Sequence, residues 1–145
     1  MSKTTRKTFI SGIKEIINQS RRAAIRNVDF QRVLMYWHIG KSIFEEEQHG
    51  KERADYGDYL IKNLAKELEP EYGSGFSVRI LEISRQFFRT YPIANALRSQ
   101  LNWLQYRLLI RIDNPDKREY YLLEAVKNNW AGRQLERQIN SNINK

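Results

Sequence analysis

The sequence predicts an all-α fold of about seven helices with a helix-turn-helix-like core. Apolar residues recur at three- and four-residue steps along most of the chain, no segment sustains period-two alternation, and Gly or Pro falls between most of the periodic stretches. The 145 residues are enough for one domain that buries about two-thirds of its unfolded surface. We read residues 1–145 as that single helical domain, with 1–56 a basic then acidic helical arm and 57–145 the helix-turn-helix-like core.

The first helix is expected from about Thr8 to Arg26, with Phe9, Ile13, Ile16 and Ile17 on one face and Lys14, Arg21, Arg22 and Arg26 outside it. Asn27 to Asp29 reads as a break or kink. A second stripe follows through Phe30, Val33, Leu34, Trp37, Gly40, Lys41 and Phe44. A glycine inside a helix costs about 1 kcal/mol relative to alanine, so Gly40 predicts the close approach of another helix. His49-Gly50 closes this helix, and Lys51 to Gly57 is a polar connection.

Leu60, Ile61, Leu64, Ala65 and Leu68 then trace a helical face, which Pro70 is expected to stop. Gly73 and Gly75 allow the chain to reverse, and Ser77 is suited to cap the next helix, which runs to about Tyr91 before Pro92. Ile80, Leu81, Ser84, Phe87, Phe88 and Tyr91 form its buried face. Arg79, Glu82, Gln86 and Arg89 form an outward stripe at steps of three, four and three, with Arg85 beside it.

Ile93 to Gln100 reads as a short helix or turn. Asn102 is a plausible N-cap for a helix that buries Trp103, Tyr106, Leu109, Ile110 and Ile112 and leaves Arg107 and Arg111 outside at i and i+4. Asp113-Asn114-Pro115 ends it and starts another, from about Asp116 to Asn128, which buries Tyr121, Leu122, Ala125 and Val126. Asn129 to Gly132 breaks the chain once more. The last helix has Leu135, Ile139 and Ile143 on one side and Arg133 and Arg137 on the other.

The net charge of +8 is unevenly distributed. Residues 1–41 carry nine Lys or Arg against two acids, residues 42–76 four against nine, and residues 77–145 twelve against six, giving +7, −5 and +6. Two basic regions flanking an acidic one suit a molecule with a positive face for a polyanion and an acidic face elsewhere. A lipid surface ranks below nucleic acid, because an interfacial helix needs a strong apolar face with exposed aromatics beside its charges. No apolar segment has the length of a membrane span and the N-terminus lacks a secretory core, so a cytoplasmic protein is expected.

With no Cys and only His38 and His49, neither a disulfide framework nor a zinc-finger spacing exists. His38 has no nucleophile or carboxylate partner at a telling spacing and reads as a packed or half-exposed side chain. Glu45, Glu46 and Glu47 point about 100° apart on a helix and cannot converge on one ion, so they read as a solvated helix end. No cofactor or metal is expected. The aromatic groups at Phe87-Phe88 with Tyr91, and at Tyr120-Tyr121, offer possible base-stacking platforms, but aromatics at helical spacing usually form core.

The basic helix supports the sharper reading. A helix that presents its positive N-terminus and a stripe of arginines is what the major groove of duplex DNA admits, the end attracting phosphate and the arginine fork matching guanine. Arg79, Gln86 and Glu82 are the expected base contacts, and Ser77, Arg85, Arg89, Arg107 and Arg111 the phosphate contacts. A plain helical hairpin with solubilising arginines satisfies the same pattern. The rival function is an interaction module, in which basic and acidic regions of two copies pair or apolar faces form a homodimer or dock a partner protein. RNA binding is a third, weaker reading.

Leu101 to Ile139, together with YWHIGKSI at Tyr36 to Ile43 and GFSVRILEISRQFFRTYP at Gly75 to Pro92, resembles the N-terminal domain of the YhcG family of PD-(D/E)XK nucleases. Their order, and the joint presence of W-x-x-Y-R-x-L-L, N-P-x-x-R-x-Y-Y and R-Q-L-E-R-Q-I, carry the likeness over nearly the whole chain. The resemblance implies a helix-turn-helix-like, DNA-binding domain that precedes a nuclease domain. A more distant similarity is to the DNA-binding region of ParB-type partition proteins, through Ser77 to Leu81, Tyr106 to Leu109 and Arg133 to Glu136. Two positions depart from the family pattern: Ile80 stands where a polar residue is expected, and Ala131 where a hydroxyl N-cap is usual.

A PD-(D/E)XK site needs an acid followed at i+2 by Lys to hold a divalent metal and activate water. No such pair occurs in the 145 residues, so this chain is expected not to be the enzyme. The final helical pattern is still running at Lys145, which suggests that the family's C-terminal nuclease domain lies beyond a truncation.

Overall fold

The structure is a computed structural model, which describes residues 3–49 and 56–143. These residues form six α-helices: α1 (Lys3–His49), α2 (Tyr56–Tyr72), α3 (Val78–Thr90), α4 (Trp103–Leu109), α5 (Pro115–Lys127) and α6 (Gly132–Ile143). Two 3-10 turns, Ser74–Phe76 and Ala94–Ala96, complete the fold, and no strand occurs among the described residues. The all-α class is as expected. The polar connection expected after His49 falls mostly on residues 50–55, outside the described residues.

The expected break at Asn27 to Asp29 does not occur. α1 runs through it as one helix of 47 residues, so two expected helices are one. Neither Asn nor Asp forbids helical dihedrals; they only compete for backbone groups, and the packing that begins at Phe30 overrides that tendency. Pro70 does not stop α2 either, because it sits inside the last turn. The chain leaves the helix at Gly73, whose φ of 96° ends it and whose N–H bonds the Glu69 carbonyl at 2.8 Å.

α1 packs chiefly on α3. Gly40 is where they cross, since a Cβ there would collide with the Ser84 carbonyl oxygen. The close approach predicted from that glycine is therefore present. Ser84 is itself buried, and its hydroxyl donates back to the Ile80 carbonyl at 2.9 Å, which keeps a small polar side chain satisfied in the crossing. Trp37 Nε1 donates to the Tyr91 carbonyl at 2.7 Å and Tyr36 donates its hydroxyl to the Gly75 carbonyl at 2.9 Å, so α1 also holds both ends of α3.

The larger core joins Val33, Tyr36 and Trp37 of α1 to Phe87, to α4 and to Tyr121, Leu122, Leu135 and Ile139. Its centre is aromatic: Tyr36 stacks on Trp103 with centroids 4.4 Å apart, and Phe87 meets Tyr106 at 5.0 Å. The Phe87-Phe88-Tyr91 group thus belongs to the core. A smaller cluster of Ile43, Ile61, Ala65 and Leu81 binds α2 to α1 and α3.

The later turns follow their local chemistry. Asn102 caps α4 in a complete capping box with Gln105, and Asn114 caps α5 with Pro115 at its first turn. Arg118 donates to the Ile112 carbonyl at 2.7 Å and 3.0 Å, closing the α4–α5 corner. Asn129 takes φ 54°, and the Trp130 N–H bonds the Ala125 carbonyl at 3.0 Å, ending α5 in a left-handed turn. Among the described residues no helix is long and apolar enough to cross a membrane.

Candidate nucleic-acid interface

α3 begins at Ser77, whose hydroxyl accepts the Ile80 N–H at 3.3 Å. Its buried stripe of Leu81, Ser84 and Phe87 faces α1, which turns Arg79, Glu82, Gln86 and Arg89 to solvent. Ile80 is half-buried against the core, so an apolar residue there removes nothing from the outward stripe.

The end of α4 is fastened beside α3 by Gln86, whose Nε2 donates to the Ile110 carbonyl at 3.0 Å. That bond brings Arg107 and Arg111 to the edge of the α3 stripe. The result is a groove of about 410 Å³ lined by Arg79, Glu82, Arg85, Gln86, Arg89, Arg107 and Arg111, with Ile83 and Ile110 at its floor. Seven of the eight residues singled out from the sequence thus share one groove, and Ser77 lies at the start of the same helix.

The five arginines are not equivalent. Arg85 Nη1 lies 2.7 Å from Glu47 Oε1 with both side chains mostly buried, so its charge is balanced within the protein. Glu47 is accordingly a structural ion-pair partner and not part of a solvated helix end. Arg89 lies over the Phe44 ring at 5.9 Å. Among the described residues no carboxylate forms an ion pair with Arg79, Arg89, Arg107 or Arg111, and Glu82 is the sole acid lining the groove.

Arg107 is the most stressed of these. Its Nε is buried and has no hydrogen-bond partner. Burial first, and then the neighbouring charges of Arg111, Arg79 and Arg32, hold its guanidinium below the usual arginine value. Arg32 comes from α1 and lies over the Tyr36 ring at 5.9 Å. Sequence reasoning did not single out Arg32, since its α1 position gives no sign that it faces α4. Nor did it find that Gln86 fastens α4 to α3.

The other candidates stay apart from this groove. His38 is exposed, meets the Trp37 ring edge-on at 4.9 Å and lies at a separate apolar groove between α1 and α2. Tyr121 is buried in the core while Tyr120 is exposed beside it. No cluster of three His, Cys, Asp or Glu able to hold a metal occurs among the described residues.

Residues 12–145 match the family model described as the DUF1016 N-terminal domain. The chain is 31% identical over 160 residues to the Escherichia coli (strain K12) protein named "Putative nuclease YhcG", an alignment covering 88% of this chain and 43% of that protein. The chain therefore spans less than half the length of this curated relative. No solved structure matches the chain. By the extent of the family match and the identity to that relative, the chain belongs to the DUF1016 N-terminal domain family, the N-terminal domain of YhcG-type proteins.

Proposed function

We propose that this chain is the DNA-engaging module of a nuclease, that it binds duplex DNA through the α3–α4 groove in a helix-turn-helix-like manner, and that the catalytic site lies elsewhere in a longer polypeptide. The observation that carries this reading is the group of unpaired arginines along α3 and α4, which the protein itself does not neutralise. Like charges held together at a cost to folding suit a site whose counter-charge is a polyanion. Arg79, near the N-terminus of α3, is the principal base reader. Arg89, Arg107 and Arg111 contact phosphate, with the Ser77 hydroxyl free to donate to another phosphate oxygen while it accepts the cap bond.

Two of the remaining residues act by positioning. Arg85 is engaged with Glu47 and sets the helix against α1, and Gln86 holds α4 with its amide N–H, leaving its oxygen for a base donor. Glu82 lies between the arginines and suits acceptance from a cytosine amine.

The test is fluorescence anisotropy with a mixed-sequence duplex across a salt series. Three phosphate-facing arginines predict a slope of about −2.7 in log affinity against log salt, or a loss of roughly 40-fold between 50 and 200 mM. Arg79→Glu with Arg89→Glu is expected to abolish binding while the circular dichroism spectrum stays unchanged. Retained affinity in that variant refutes the groove as the reader.

A further inference from the structure

Among the described residues, the apolar side chains in the first half of α1 belong to neither core cluster. Phe9, Ile10, Ile13, Ile16 and Ile17 are all exposed, Ile16 by 61% and Phe9 by 63%, although they form an apolar face that a soluble helix ordinarily covers. The exposed face does not stop where the core begins. Ile13, Ile17, Ala24, Val28, Met35 and Ser42 lie on one line at steps of four and seven, and each is exposed to solvent. Gly40 faces α3, and at 100° per residue this line lies on the far side of α1 from it.

At the other end of that line α1 and α2 enclose an apolar groove of about 410 Å³, lined by Ile39, Ser42 and Ile43 of α1 and by Leu60, Leu64 and Leu68 of α2. Its rim is acidic. Glu46 lines it directly, Glu45 is exposed nearby, and Glu67 and Glu71 stand a turn from the α2 leucines. The apolar face at the first end is instead flanked by Lys14 and Arg21. One helix thus carries a basic apolar ridge at its N-terminal end and an acidic apolar groove at its C-terminal end, on the same side.

We infer that this chain forms a symmetric dimer in which two copies of α1 pair antiparallel, the N-terminal ridge of each seated in the α1–α2 groove of the other. A two-fold axis near Val28 brings Ile13 of one copy opposite Ser42 of its partner and does the same in reverse, as an isologous contact requires. Each ridge then becomes the third helix beside α1 and α2, with Phe9 and Ile10 at the level of Glu46 and Glu45 and Lys14 one turn further along. Two such contacts, each several helical turns laid in a two-helix groove, bury on the order of 1,500 Å², the size class of a stable interface. An anionic membrane is the weaker occupant, because Glu45, Glu46, Glu67 and Glu71 would face it along with the ridge.

The test uses the whole chain in light scattering coupled to size exclusion, with site-directed cross-linking. A mass of twice 17.3 kDa is expected, falling to 17.3 kDa in Ile13→Asp/Ile17→Asp. Those residues are exposed and belong to no core cluster, so the variant is expected to stay folded, with an unchanged circular dichroism spectrum. The sequence has no Cys, so Ile13→Cys/Ser42→Cys gives a clean thiol pair. The two positions lie about 44 Å apart along one helix, and a short bis-maleimide can join them only between copies. Cross-linked dimer from the double variant, with none from either single variant, is the expected result. A 17.3 kDa wild type at tens of micromolar overturns the proposal, as does a dimer that survives Ile13→Asp/Ile17→Asp. A monomer that co-sediments with vesicles of anionic phospholipid would overturn it in favour of a membrane-seeking ridge.

Discussion

Arg107→Met separates a functional groove from a decorative one, because the groove reading predicts opposite effects on stability and binding. A cation held below its ordinary pKa is less favourable when charged in the folded state than in the unfolded one, so at neutral pH the Arg107 charge opposes folding. The i, i+4 repulsion from Arg111 costs roughly 0.2–0.5 kcal/mol. Arg79 and Arg32 add contributions of the same sign, and the buried Nε lacks a partner, which ordinarily costs about 1–3 kcal/mol. The rest of the guanidinium is partly solvated, which screens the charge terms, so the net gain on removing it is on the order of 1 kcal/mol. Methionine retains an unbranched stem of similar reach, so the packing of the side chain is largely kept. For a chain of this size that corresponds to a rise of about 3 °C in Tm, shrinking as salt is added. The same variant is expected to bind duplex DNA more weakly, with the salt slope reduced by about 0.9. Calorimetry and anisotropy over one salt series measure both. A lower Tm together with an unchanged salt slope would show that Arg107 is structural and refute the argument.

Four further substitutions test the scaffold. Gly40→Ala places a methyl group against the Ser84 carbonyl, which is backbone and cannot swing aside; a loss of about 1–3 kcal/mol or more is expected in urea unfolding. Gly132→Ala provides the contrast: its added Cβ meets Leu104 Cδ2 at 2.5 Å, but that leucine is half exposed and free to move, so the cost should be much smaller. Tyr91→Phe removes a buried hydroxyl with no partner, on a phenol that burial pushes well above its usual pKa, and should leave stability unchanged or raise it by up to about 1 kcal/mol. Ala131→Ser should stabilise the protein by about 1 kcal/mol in the same assay. Gln134 already returns its side chain to the Ala131 N–H at 2.9 Å, so a hydroxyl completes the capping box of α6.

Local features were legible wherever local chemistry decides them. The caps at Ser77, Asn102 and Asn114, the proline start of α5 and the outward stripe of α3 all follow from residue types at fixed spacings. Pro70 misled because a proline costs the helix one backbone bond without forbidding helical dihedrals, so α2 continues past it and ends only at Gly73. Asn27 to Asp29 misled because turn-forming residues only bias a backbone that long-range packing then commits to helix. Glu47 looked solvated because its partner, Arg85, lies 38 residues away.

By itself the sequence determined the all-α class, the segregation of charge and the two faces of α3, because helical periodicity and charge are properties of neighbours along the chain. Which arginines converge, which one is neutralised and which face of α1 is left bare were decided only by tertiary structure. Those outcomes depend on Gly40 letting α3 lie against α1 and on Gln86 drawing α4 alongside, contacts between residues far apart in the chain whose pairing no local period encodes.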